Sequence, residues 1–98
     1  MARPVLHVVR LTNTDLSRYE EHFQAHIAWV KKHADAAVFL FAGSLEDRTA
    51  GGMIIAKTES RAALDRILRD DPFLIHGVAT HDVTTFNVAL GCNAHTLG

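Results

Sequence analysis

Cysteine is almost missing from this sequence. Cys92 is alone, so no disulfide can form within the chain. No charge of either sign is in excess: ten Lys and Arg stand against eleven Asp and Glu, with a net charge of -1. Without a basic surplus, or a basic run beside aromatics, the electrostatic footprint of a nucleic-acid binder is missing, and that class is set aside. Long hydrophobic runs are also lacking. The longest, Ala36 to Ala42, falls far below the ~20 residues that cross a bilayer, so no membrane span is expected. The opening MARPVLHVVRL breaks its apolar stretch with His7 and Arg10, unlike a secretory signal, which makes the cytoplasm the expected location. Neither an internal repeat nor a low-complexity segment is visible.

What remains is a chain of 98 residues, 48% of them hydrophobic, enough for one domain with one small core. Val5 to Leu11, between Pro4 and the polar Thr12-Asn13-Thr14, reads as a strand. Thr14 or Asp15 can cap a long helix in which Leu16, Tyr19, Phe23, Ile27, Val30 and Ala34 recur every three or four residues. Val38 to Ala42, closed by Gly43-Ser44, and Met53 to Ala56, opened by Gly51-Gly52, read as two strands of a hairpin. Ser60 caps a second helix with Ala63, Leu64, Ile67 and Leu68 on its buried face, and Pro72 forces Asp71 out of helical geometry and ends it. A short helical turn from Phe73 to Gly77 leads into a last strand from Val78 to about Leu90, and the tail from Gly91 is expected to be loosely ordered.

This βαββαβ order predicts a ferredoxin-like α+β fold: an antiparallel four-stranded sheet with both helices on one face. Its hairpin strands are apolar at every position and the first strand nearly so, where a half-exposed sheet would alternate. Both faces are therefore expected to be covered, the second by another copy of the chain, giving a homodimeric α+β barrel.

Seven histidines are the oddest feature of the composition. At about 100° per residue, His22, His26, Trp29 and His33 fall along one stripe of the long helix, with His26 bordering its apolar face. A partly buried imidazole with a fixed partner can serve as a general base; equally, it can be a core-edge histidine with a satisfied hydrogen bond. Asp71 is placed to cap the turn that Pro72 opens. A carboxylate so held stays ionised and can orient an imidazole, and this topology lets the end of the second helix approach the first. His22 and His26 have the spacing of two metal ligands, with His33 as the best addition, but no acidic residue or cysteine completes the set, so no metal is expected. Ser44, His26 and Asp71 are the residue types of a hydrolase triad, yet no nucleophile elbow surrounds Ser44. Cys92 lacks a neighbouring positive charge that would activate it.

Three groups of residues carry a resemblance to a known family: His26 followed by Ala42-Gly43, the Glu59-Ser60 entry to the second helix, and Asp71-Pro72-Phe73 followed by Gly77-Val78. From Leu6 to Phe86 the chain resembles the YciI-like (YCII-related) proteins of bacteria. The resemblance implies the dimeric barrel and a His26–Asp71 dyad. It also implies an activity related to elimination of HCl from a chlorinated aromatic ring. Ala37, Val38 and Ser44 stand where the family usually has Gly, a basic residue and Pro, which implies a different substrate. The expected function is a small enzyme, a lyase or isomerase needing no cofactor, in which His26 removes a proton and Asp71 orients it. Trp29, Phe73, Ser44 and His7 would contact a small, ring-shaped substrate. The alternative is a binding or regulatory module that uses the same cavity without turnover.

Overall fold

The computed structural model describes residues 5–91. Its strands are β1 (Val5–Asn13), β2 (Phe39–Ser44), β3 (Gly51–Ala56) and β4 (Ala79–Asn87); its helices are α1 (Tyr19–Asp35), α2 (Arg61–Leu68) and the single turn α3 (Pro72–Ile75). The strands pair antiparallel in the order β2-β3-β1-β4. This is the ferredoxin-like arrangement. Cys92 and His95, and the tail after Gly91, lie outside the described residues.

Local chemistry sets the boundaries. Asp15 accepts the Ser17 N–H, but the turn it caps, Leu16–Arg18, is a 3-10 turn, and regular α-helix begins at Tyr19. Ser60 accepts the Ala63 N–H at the start of α2, and Asp71 accepts the Phe73 N–H at the start of α3 with Pro72 in the first helical position. The end of α1 is less comfortable. Val38 N–H reaches back to His33 O and Ala37 N–H to Ala34 O, which puts Ala37 in left-handed backbone at φ 61°. Glycine normally occupies that place because it has no Cβ to clash. The strand consequently starts at Phe39 rather than Val38.

The period-two alternation of the strands sorts their side chains. Val9, Leu11, Ile54, Ala56 and Phe39 face the helices and join Trp29, Leu64 and Leu68 in the main core. Phe73, Val78 and Ala79 form a smaller cluster against Tyr19 and Phe23. The Trp29 indole N–H donates to Ile67 O at 3.1 Å and ties α1 to the end of α2. On the opposite face Val8 pairs with Ile55, Leu6 with Phe86 and Arg10 with both Met53 and Asp82. Among the described residues nothing covers this face: Phe41 is 74% and Phe86 44% exposed. The β4 side of that face is also more polar than expected, since Thr80, Asp82 and Thr84 point outward there. Among the described residues no helix is long and apolar enough to cross a membrane.

Candidate active site

The junction between α2 and α3 carries Asp71 directly beneath α1. Its side chain is fully buried. The His26 Nδ1–H donates to Asp71 Oδ1 at 2.7 Å, the Phe73 N–H to the same oxygen at 3.0 Å, and the Nε2–H of His81, from β4, to Oδ2 at 2.7 Å. Burial alone would push the Asp71 carboxyl up. The donors from His26 and His81, followed by the Phe73 amide, outweigh it and hold the group below its ordinary value. Asp71 is thus an anion that only accepts hydrogen bonds. That fixes both tautomers: His26 keeps its proton on Nδ1 and His81 on Nε2.

The second nitrogen of each ring makes no hydrogen bond among the described residues, and no buried side-chain nitrogen or oxygen there lacks a partner. His26 lines a cavity and His81 a separate cleft. His26 is gripped by Phe73, whose ring stacks on the imidazole with centroids 3.9 Å apart and planes 5° apart. Trp29 lies at 5.8 Å from the same ring.

His26 borders a cavity of about 270 Å³ between α1 and the sheet. Phe23, Val30 and Phe73 supply apolar wall, Tyr19 and Ser44 hydroxyls, and Arg48 a guanidinium. On the sheet side Gly43, Gly51 and Gly52 border it. Two of these glycines are obligatory: a Cβ on Gly51 would sit 1.8 Å from Leu11 O, and one on Gly52 2.8 Å from Gly43 O.

The structure thus brings His26, Asp71, Phe73 and Ser44 to one place, although Ser44 makes no hydrogen bond to His26. Trp29 adjoins His26 but is 7% exposed within the core and does not line the cavity. His7 has to be corrected. It faces the helix side of the sheet, 1% exposed, held by Thr85 at 2.7 Å and Thr58 at 2.9 Å, away from the cavity. Burial, then the Arg61 charge, pushes its imidazole below the ordinary value, as burial and Lys32 do for His33. The stripe on α1 does not converge on one point. His22 stacks on His76 at 3.9 Å, while His33 packs its edge against Trp29 and lies 5.3 Å from Phe39. Among the described residues no three of His, Cys, Asp and Glu are grouped as metal ligands, and His26 and His81 approach different oxygens of Asp71. His81 itself was missed, because period-two alternation does not say which face of a strand points inward until its pairing register is known.

The family model of the YCII-related domain matches residues 5–87. Among solved structures, the chain is similar to 5-chloro-2-hydroxyhydroquinone dehydrochlorinase (TftG) from Burkholderia phenoliruptrix AC1100, in complex with 2,5-dihydroxybenzoquinone. The TM-score is 0.69 at 18% identity, over 88% of this chain and 95% of that one. At that identity the likeness is one of fold. No curated protein matches the sequence. Since the family match spans the whole sheet together with His26, Asp71 and His81, the chain belongs to the YCII-related domain family.

Proposed function

We propose that the protein is a small cytoplasmic enzyme, a lyase or isomerase, that uses His26 as a general base on a single-ring, acidic organic substrate. One observation carries this reading: a buried carboxylate 2.7 Å from the imidazole of His26, whose remaining nitrogen makes no hydrogen bond among the described residues and whose ring borders a cavity. Neutral His26 takes the substrate proton on Nε2. The imidazolium that forms is stabilised by Asp71, which keeps its charge because two other N–H groups also bind it. For an elimination, the electron pair left by the proton expels the leaving group with its bonding pair. For an isomerisation, His26 returns the proton to another atom. Neither step calls for a cofactor.

The size of the cavity limits the substrate. A cavity of ~150 Å³ holds benzene, so about 270 Å³ admits one substituted ring and little more. Arg48 has no carboxylate within ion-pair distance among the described residues and is available for a phenolate or carboxylate on that ring. The substrate named for the dehydrochlorinase, a chlorinated hydroxyhydroquinone, is of this class. Assembly is part of the proposal: a second copy covers the outer face of the sheet, where Phe41, Ile55 and Phe86 would otherwise meet water.

The test uses 5-chloro-2-hydroxyhydroquinone and 2,5-dihydroxybenzoquinone as probes with wild type and His26→Asn. The expected result is a thermal shift with the quinone in both proteins, and chloride release by wild type alone. Binding without release by either protein would favour a binding or regulatory module. No shift with either probe would remove this substrate class.

A further inference from the structure

We infer that His81 is a positioning residue for the chemistry at His26, acting through Asp71, so that the working unit is His26–Asp71–His81 rather than a dyad. The inference deepens the general-base reading above and rests on it. Three features of the fold carry it. His81 projects from the helix-facing side of β4, opposite Leu11 of β1, and its Nε2–H donates to Asp71 Oδ2 at 2.7 Å, as short as the His26 contact on Oδ1. The ring is buried, with 7% of its side chain exposed, and lies parallel to the Trp29 indole at 6.4 Å with 8° between the planes. A core histidine that only needed satisfying could have used a backbone carbonyl. This one occupies the single carboxylate oxygen that neither His26 nor the Phe73 amide uses.

The consequence for His26 is chemical. Without His81, Oδ2 would be a bare anionic oxygen in the core, and Asp71, anchored at Oδ1 alone by His26 and the Phe73 amide, would be less firmly oriented and more basic. With it, the negative charge is shared between two imidazoles, and each rotamer of Asp71 except the observed one loses a charge-assisted hydrogen bond. Asp71 then has little tendency to take the Nδ1 proton from the imidazolium. The proton gained at Nε2 stays facing the cavity, from which it can be returned to product or leaving group. The two imidazoles also open differently: His26 borders the cavity with Tyr19 and Arg48, while His81 borders a separate cleft with Arg61, Asp65, Arg69 and Asp82. In that cleft two cations and two anions offset one another, so Asp71 is the ionised group hydrogen-bonded to both rings.

The test is an NMR titration of the histidine ring nitrogens in wild type, His81→Leu, His81→Gln and Asp71→Asn. Glutamine can place an N–H where His81 Nε2 lies but cannot titrate; leucine can do neither. Removing the His81 donor leaves Asp71 a stronger acceptor, so the His26 titration in His81→Leu should move to higher pH, by at least about 0.3 unit. His81→Gln should restore it to within half of that shift. An unmoved His26 in His81→Leu, or an equal movement in both variants, would overturn the inference. If His81→Leu fails to fold, wild type decides alone: His81 must be the Nε2–H tautomer at neutral pH, and an Nδ1–H tautomer refutes the contact. Asp71→Asn separates the two levels. If it leaves His26 unmoved, the general-base pairing itself fails; if it moves His26 while His81→Leu does not, only the role of His81 fails.

Discussion

Replacing Asp71 by alanine and by asparagine tests whether the carboxylate is held by three donors or merely fills space. In Asp71→Ala, the His26 Nδ1–H, the His81 Nε2–H and the Phe73 N–H lose their acceptor together. An unsatisfied buried donor costs about 1–3 kcal/mol. The three costs are not additive, since water can enter the vacated space and either imidazole can change tautomer, so about 3–5 kcal/mol is expected, as when one partner of a buried pair is removed. For a domain of this size each kcal/mol lowers Tm by ~4–8 °C, so alanine should cost ~12–40 °C. Asparagine behaves differently. Its oxygen must stay at the Oδ1 position, because the Phe73 amide can only donate, and the amide nitrogen then replaces Oδ2. His81 can accept from that nitrogen by moving its proton to Nδ1. All three contacts survive, the helix cap is kept, and the loss should be about 1 kcal/mol. Urea unfolding followed by circular dichroism at pH 7 and fixed protein concentration measures both. Alanine and asparagine variants within ~0.5 kcal/mol of each other would refute the three-donor account.

Other consequences can be checked separately. Ala37→Gly should stabilise the fold by about 1 kcal/mol, because glycine accepts the positive φ at the end of α1 that alanine resists; a neutral or harmful effect in the same urea assay would contradict this. Gly51→Ala should prevent folding or cost several kcal/mol, as its Cβ meets Leu11 O at 1.8 Å, and near-native stability would show that the β1–β3 approach is looser. His7 has its folded-state value lowered below the ordinary 6.5, chiefly by burial. The stability gained by keeping it neutral is present above pH 6.5 and lost as pH falls below that value. His7→Gln should therefore lose less stability than wild type on acidification, and parallel curves would exclude His7 as a source. Ile55→Glu, on the outer face of β3, should shift the protein from dimer to monomer in light scattering, whereas a wild type already monomeric at micromolar concentration would remove the dimer.

Much of this was legible because the signals were local. The apolar repeat from Leu16 to Ala34 marks α1, the Gly51-Gly52 pair marks a place where backbones touch, and Asp71-Pro72 writes a helix start whose cap also reaches His26. The first turn before α1 was not legible, since Asp15 caps a 3-10 turn and an α-helix equally well in sequence. The strand histidines were harder. His7 shares its strand face with Val5 and Val9, and His81 with Ala79 and Val83, yet one is closed off by Thr58 and Thr85 and the other meets Asp71. Only the pairing of β1 with β4 and the placement of the α2–α3 junction decide between them, and neither is encoded within a strand. The apolar character of β2 and β3 is plain in the sequence, but among the described residues nothing covers their outer face, where Phe41 is 74% exposed.

The claim that His26 is a base oriented by an ionised Asp71 is tested most directly by the protonation and tautomer of His26 across pH, in wild type and in Asp71→Asn. The account predicts a neutral Nδ1–H tautomer in wild type and a titration that moves to lower pH in Asp71→Asn, because the charge that favours the imidazolium is gone while the hydrogen bond remains. An identical His26 titration in the two proteins, or an Nε2–H tautomer in wild type, would contradict it.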